Sequence, residues 1–361
     1  MTPVYNFNAG PAILPHEVLA EAQQELLDYH GIGMSVLEIS HRSKEYEAIN
    51  SEAEARIKRL LGIGDDFHVL FLQGGASLQF AMLPMNFLPA GATADYVITG
   101  AWAEKAYEEA KKIGQASIAA NVKDSNFNRM PSPAELQLSE NSAYVHICSN
   151  ETIQGTQWQG YPDVGGRPLV IDMSSDILSR PIDMSNVSMI YAGAQKNLGP
   201  SGATVVILRK SFFEQASNSA PTILRYATHV KNNSLYNTPP VFSVYLLNLT
   251  LGWIEANGGL EGMQKRNAEK AATIYNAIER SGGFYTGHAV PEFRSNMNIT
   301  FRLPSEELEK QFVNESKQKG MVGLAGHRSV GGIRASVYNA MSLEGCQALA
   351  DYMDEFLREN G

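Results

Sequence analysis

Polar and apolar positions along the chain fall into segments of two different periods. From Pro15 to Tyr29, the residues Val18, Leu19, Ala22, Leu26 and Tyr29 recur on one helical face, with Pro15 near the first turn and Gly31 past the end. Ser43 to Leu61 repeats the pattern through Tyr46, Ile49, Ala53, Ile57 and Leu60 and is closed by Gly62. Apolar runs and helical stretches then alternate: His68 to Leu72, a glycine turn, Ser77 to Phe87, Asp95 to Thr99, and Ala103 to Lys112. That rhythm predicts crossover units on a mainly parallel sheet.

Tyr144 to Cys148, Leu169 to Ile171, Met189 to Tyr191 and Thr204 to Leu208 read as further strands. They are too closely spaced for a long helix between every pair, so the sheet is expected to be mixed. After the helical stretch Val241 to Ala256, Gly258-Gly259 introduces a long helix, Glu261 to Arg280, followed by strands at Asn296 to Arg302 and Ile333 to Tyr338. The expected architecture is α/β, with a large domain over residues 16–256 and a smaller α/β domain formed by residues 1–15 and 257–361. At 361 residues and 44% hydrophobic, the chain can bury a core in each.

Charge narrows the partners. A formal charge of -9 argues against nucleic acid or an anionic membrane, either of which calls for a basic face. No apolar run reaches the length of a membrane span and no secretory leader pattern opens the chain, so the cytoplasm is the expected address. Cys148 sits within an apolar run and Cys346 shares a helical face with Leu349, Met353 and Phe356, so both read as packing residues.

The candidate chemistry centres on Lys196 and Asp172. Asp172 ends the run Pro168-Leu169-Val170-Ile171, and Lys196 follows 24 residues later, after Met189-Ile190-Tyr191-Ala192. A lysine after an apolar run is ordinarily a solvated strand end, and an aspartate there a helix cap. The setting differs here: Ala194-Gln195-Lys196-Asn197-Leu198-Gly199-Pro200-Ser201-Gly202 leads straight into the run Ala203 to Leu208, placing Lys196 in a tight strand-turn-strand unit. A lysine amine to form a Schiff base and a carboxylate to keep a pyridine nitrogen protonated are what pyridoxal phosphate chemistry requires.

Gln73-Gly74-Gly75-Ala76-Ser77 follows a strand and opens a helix, so its amides and the Ser77 hydroxyl could hold a phosphate, although glycine turns are common in alternating folds. Trp102 starts a helix after a strand, and Thr152 follows the strand ending at Cys148. Loops at the carboxyl ends of parallel strands converge on one crevice, where Trp102 could stack on an aromatic cofactor and Thr152 could hydrogen-bond it. Their ordinary alternatives are a core tryptophan and a loop threonine.

Asn8-Ala9-Gly10-Pro11-Ala12, Gln73 to Ser77, Gly193 to Gly202, Asn237-Thr238-Pro239-Pro240 and Gly326 to Ser336 together resemble the phosphoserine aminotransferase family, of class V and fold type I, in the expected order over essentially the whole chain. The resemblance implies a homodimer binding pyridoxal 5'-phosphate, with a small domain built from both chain ends. It implies Lys196 as the covalent attachment point, Asp172 at the pyridine nitrogen, Trp102 stacked on the ring, and Thr152 and Gln195 as polar contacts. Gly75, Ala76 and Ser77 would hold the phosphate, helped by Asn237 and Thr238 of the other subunit.

It further implies transfer of an amino group between L-glutamate and 3-phosphohydroxypyruvate, so one site must accept both a carboxylate and a phosphate, a task suited to arginine forks. Arg334 would take the α-carboxylate, His41 and Arg42 the distal anion, and His327 and Arg328, from the partner subunit, the phosphate. The pathway implied is serine biosynthesis, and in some members pyridoxine synthesis. A small-amino-acid:glyoxylate aminotransferase would keep Lys196 and Asp172 without the His-Arg pairs, a cysteine desulfurase would need a cysteine on a mobile loop, and a phosphometabolite sensor would need no chemistry.

Overall fold

The computed structural model describes residues 4–361. A seven-stranded sheet forms its centre, in the order Phe67–Leu72, Thr204–Arg209, Val187–Gly193, Leu169–Asp172, Ser142–Cys148, Thr93–Ile98 and Ala116–Asn121. Thr204–Arg209 alone runs against its neighbours, pairing antiparallel with both Phe67–Leu72 and Val187–Gly193. The sheet is mixed because the turn between Gly193 and Thr204 is too short to cross over it and can close only an antiparallel pair. The other six strands therefore present their carboxyl ends at one edge, with Leu72 and Gly193 both opposite Thr204 and Asp172 opposite Cys148.

Both faces of this sheet are covered, which is why its strands are almost uniformly apolar. Alternate residues feed two buried clusters: Val69, Phe71, Val145, Ile147, Ile171, Val205 and Ile207 on one face, and Leu70, Leu72, Tyr144, Val170, Met189, Val206 and Leu208 on the other. The first is closed by helices Lys44–Leu61 and Val241–Ala256. Ser43 caps the former by accepting from the Tyr46 amide, and Gly62 ends it at φ 62°, a left-handed position open to glycine at no steric cost.

A third buried cluster gathers Phe7, Ile274, Phe301, Phe312, Ile333, Leu349, Met353 and Phe356 around the three-stranded sheet Thr286–Gly287, Asn298–Arg302 and Ile333–Ser336. Helices Gly259–Arg280 and Leu343–Asn360 pack together beside it, and the start of the chain joins through Tyr5–Asn6, paired parallel with Met321–Val322. The small domain expected from sequence begins at residue 1, and residues 1–3 lie outside the described residues.

Two expected strands are shorter than their apolar patterns. The Asn296 to Arg302 run pairs only from Asn298, because Ser295 Oγ accepts the Met297 and Asn298 amides at 3.0 and 2.9 Å. The Ile333 to Tyr338 run leaves the ladder after Ser336, where buried Lys270 Nζ takes the Val337 and Tyr338 carbonyls at 3.0 and 2.6 Å. Strand Ala116–Asn121 and helix Glu306–Gln318 were not anticipated: one is an edge strand of small residues, the other a largely charged surface helix. No described helix is long and apolar enough to cross a membrane.

A polar seam joins the two parts. Asn150 Nδ2 donates to Ser175 Oγ and Asn298 Oδ1, each at 2.8 Å, and Asn298 Nδ2 donates to Ser336 Oγ at 3.0 Å. Asn197, beside Lys196, accepts the Asn339 amide at 2.8 Å. All six of these residues are buried.

Candidate active site

Five strand ends deliver the candidate residues to one edge of the sheet. Lys196 lies in the turn after Val187–Gly193, Asp172 ends its strand, Thr152 follows Ser142–Cys148 by way of the short strand Asn150–Glu151, Trp102 lies in the first turn of helix Ala101–Lys111 after Thr93–Ile98, and Gly75 opens helix Gly75–Phe87 after Phe67–Leu72. The topology makes these distant residues neighbours, as ligand crevices in open α/β sheets require.

Lys196 Nζ donates to Thr152 Oγ1 at 2.7 Å and stands 5.4 Å from the centroid of the Trp102 ring. Burial pushes its ammonium below the ordinary lysine value, with Asp172 the main opposing influence. The neutral amine, which is the nucleophilic form, is thereby favoured. Asp172 is itself buried, and its Oδ1 accepts from the Ser174 amide and hydroxyl at 2.9 and 2.7 Å. Among the described residues no donor reaches its Oδ2. Burial raises the Asp172 carboxyl, opposed first by the Ser174 hydroxyl and then by Lys196.

The start of helix Gly75–Phe87 has the geometry of an anion cradle. Gly74 sits at φ 86°, and a Cβ there would come within 2.6 Å of the Leu78 side chain. The amides of Gly75, Ala76 and Ser77 find no acceptor among the described residues and lie at the positive end of the helix. Thr238 is exposed beside them, its carbonyl accepting from Gln73 Nε2 at 2.9 Å, and Asn237 Nδ2 reaches the same oxygen at 3.4 Å. Gln195 is half-buried, its carbonyl tied to the Ala12 amide at 2.9 Å.

Arg334, on strand Ile333–Ser336, approaches from the other side. Its Nη1 donates to the Thr152 carbonyl at 3.5 Å, while its Nε is buried without an acceptor. Among the described residues no carboxylate pairs with it, and burial works against its charge. His327 shares with it a cavity of about 170 Å³, lined also by Gln154 and Thr300. His327 is held below the ordinary histidine value by burial, then by Arg334, Lys105 and Arg328. One chain thus brings His327 to Arg334 by itself, whereas the resemblance implied that His327 comes from a partner. Arg328 is exposed; His41 is half-buried and Arg42 exposed in the turn before Lys44–Leu61, and among the described residues neither of these two side chains forms a hydrogen bond or ion pair.

Sequence reasoning missed Glu151. It is fully buried, accepts from Thr99 Oγ1 at 3.1 Å and from the Trp102 and Ala103 amides at 3.4 Å each, and anchors the start of the helix that carries Trp102. Burial pushes its carboxyl up to about 7. The available signal was Ser149-Asn150-Glu151-Thr152 itself, four consecutive polar residues directly after an apolar strand.

Among the described residues, a half-buried guanidinium without a carboxylate partner, a lysine amine held below its ordinary pKa, a carboxylate with one free oxygen and a row of free helix amides suit a small substrate with an anionic group and an aromatic cofactor that carries a phosphate. The family model for class-V aminotransferases matches residues 4–349. The chain is 62% identical over 99% of its length to a phosphoserine aminotransferase of Herpetosiphon aurantiacus, covering 99% of that protein. It is 55% identical to the phosphoserine aminotransferase of Bacillus subtilis, over 98% of each chain. Its fold superposes with a TM-score of 0.98 on the phosphoserine aminotransferase from Bacillus circulans subsp. alkalophilus, at 58% identity and covering 99% of each chain.

Proposed function

The chain belongs to the class-V aminotransferases of fold type I, and we propose that it exchanges the amino group between L-glutamate and 3-phosphohydroxypyruvate, giving O-phospho-L-serine and 2-oxoglutarate in serine biosynthesis. The observation that carries this reading is the double use of Thr152: its hydroxyl holds Lys196 Nζ and its carbonyl holds Arg334 Nη1. An amino acid whose α-carboxylate is gripped by Arg334 therefore presents its nitrogen and Cα toward Lys196.

The residues fit pyridoxal 5'-phosphate. The free amides of Gly75, Ala76 and Ser77 would take its phosphate, Asp172 Oδ2 its protonated ring nitrogen, and Trp102 one ring face, with Thr152 and Gln195 as polar neighbours. When bound, the cofactor supplies an electron sink for the charge left at Cα. Lys196 Nζ is the base that takes the Cα proton and the acid that returns it, since its lowered pKa keeps a neutral fraction available and its tether keeps it in reach.

The active assembly is a homodimer in the cytoplasm. Leu19, Leu26, Leu27, Ile32, Met34 and Leu37 are exposed on one segment, Leu27 to 84%, a density of apolar surface that suits a second copy. His41 and Arg42 continue that segment, so a partner docked there would receive them near its own crevice, while Asn237 and Thr238, exposed beside this chain's own Gly75 to Ser77 amides, reach a partner only if its surface closes over that cradle. Arg328 with His327 then supplies positive charge for the substrate phosphate.

The test is the visible absorbance of the cofactor-loaded protein. Glutamate should bleach it and 3-phosphohydroxypyruvate should restore it. Restoration by glyoxylate or pyruvate but not by the phosphorylated keto acid would reject this substrate assignment.

A further inference from the structure

The loop that carries His327 and Arg328 has no regular structure of its own. It closes on itself, with the Gly326 amide donating to the Gly332 carbonyl at 2.8 Å and the Val330 and Gly331 amides to the His327 carbonyl at 2.9 and 2.8 Å. Its outer half meets one ion pair. Arg302 Nε contacts Glu309 Oε1 at 2.6 Å, and the same guanidinium sends Nη1 to the Val330 carbonyl at 2.7 Å. Glu309 Oε2 accepts the Gly332 amide at 3.1 Å, and its Oε1 accepts the Leu303 amide at 3.3 Å.

We propose that Arg302 and Glu309 form a clasp that positions the 326–332 loop, and that this clasp sets discrimination for the phosphorylated keto acid over glutamate. The proposal rests on the reading that His327 and Arg328 serve the substrate phosphate.

Three features set the clasp apart from an incidental surface pair, which contributes little. Glu309 is 6% exposed although it belongs to the highly charged surface helix Glu306–Gln318, so it points inward against that helix's solvated face. Each partner reaches the loop backbone separately, Arg302 at Val330 and Glu309 at Gly332, so the loop is tied on both sides of Gly331. The fit is also close: a Cβ on Gly332, at φ 74°, would approach Arg302 Cδ to 2.7 Å. Arg302 spans Glu309 and Val330 with the two arms of a planar fork, which a lysine, with one terminal nitrogen, cannot reproduce.

Arg302 borders the cavity that His327 shares with Arg334, but its guanidinium is engaged by Glu309 and the Val330 carbonyl, so its effect, like that of Glu309, passes through the position of His327 and Arg328. Arg302→Met, Arg302→Lys and Glu309→Gln, assayed as the cofactor-loaded protein, should each raise KM for 3-phosphohydroxypyruvate about fivefold to tenfold, because a displaced charged contact forfeits part of its energy. KM for glutamate and kcat should stay within about twofold, since the machinery at Lys196 and Arg334 is untouched. Arg328→Ala serves as the reference, and adding Arg302→Met to it should cause little further loss, as expected for coupled residues. Limited trypsin digestion gives a readout independent of turnover: cleavage after Arg328 should be faster in the clasp variants at unchanged melting temperature.

If Arg328→Ala discriminates between the substrates while all three clasp variants keep parental KM values and parental cleavage, the clasp is overturned and the loop reading stands. If Arg328→Ala affects both substrates alike, the loop reading fails, and the clasp's role in discrimination fails with it.

Discussion

Arg334→Ala should weaken both substrates by one common factor while leaving the fold intact. Among the described residues, the Arg334 side chain makes one hydrogen bond, at the limit of useful length, 3.5 Å to the Thr152 carbonyl, and its buried Nε goes without an acceptor. Removing it therefore gives up little and relieves the cost of a half-buried cation with no counter-charge, so stability should change by no more than about 1 kcal/mol. Binding is different. A guanidinium fork gives a carboxylate two charge-assisted bonds at about 1.5 kcal/mol each on the low side, so about 3 kcal/mol, or roughly a hundredfold in kcat/KM. Glutamate and 3-phosphohydroxypyruvate share the α-carboxylate, so the factor should be the same for both. Arg334→Lys keeps the charge and loses the fork, and should fall between, at about tenfold. Steady-state kinetics for each substrate, with a thermal melt of each variant, decide the matter. A loss confined to one substrate, or a collapse of stability comparable with the loss of binding, would refute the assignment of Arg334 as the common carboxylate receptor.

Lys196→Ala should lower turnover by at least about three orders of magnitude and abolish the visible band of the covalently attached cofactor; near-parental turnover in a stopped assay would sink its role as proton carrier. Glu151 should make the protein less stable as pH rises. The folded carboxyl titrates at about 7 against an ordinary 4.5, so between those values the folded state holds a proton that the unfolded state has released. The excess of the parent's urea midpoint over that of Glu151→Gln should shrink as pH rises from about 5 to about 8 and level off above, a difference in which the opposing titrations of His146 and Lys270 cancel; a difference that does not change with pH would refute burial as its source. Lys270→Met should destabilise the protein by about 2 to 4 kcal/mol, because it strips the donor from the buried carbonyls of Val337 and Tyr338. Parental denaturation midpoints would show those carbonyls to be satisfied otherwise.

What could be read from sequence follows from what periodicity encodes. The strand ends at Asp172 and Cys148 were visible because both faces of the sheet are dry, so each strand is a largely apolar run stopped by a polar residue, whereas the strand read as Met189 to Tyr191 extends in the fold to Gly193, where glycine gives no polar stop. Lys196 stood out by its turn, since the short link to Thr204 left no room for a crossover. Ala116–Asn121 was invisible for the converse reason: as an edge strand of small residues it has no apolar run to detect. Arg302 and Glu309 gave no signal either, because each is an ordinary charged residue of a strand or helix until the tertiary fold places both beside Gly332. Glu151 is intermediate, legible as a polar residue at a strand end but not as the anchor of a helix whose amides lie far away in sequence.

The polar seam at Asn150 explains how a site divided between two parts of the chain keeps its dimensions. Lys196 and Thr152 belong to the seven-stranded part and Arg334 to the three-stranded part, so the separation of amine and carboxylate receptor depends on how the two parts meet. An apolar contact could slide, since hydrophobic attraction has no preferred direction. Asn150 instead spends both amide hydrogens on Ser175 and Asn298, and its oxygen accepts from Ser295 at 2.5 Å. Asn298 passes its own amide group on to Ser336, two residues from Arg334, at 3.0 Å. With the buried polar side chains of Asn150, Ser175, Asn298 and Ser336 all paired, a displacement of even one bond length leaves donors and acceptors unpaired in a dry environment, a cost of about 1 to 3 kcal/mol for each. Asparagine at these positions therefore fixes the separation of Arg334 from Lys196, the distance on which the role proposed for Arg334 as carboxylate receptor depends.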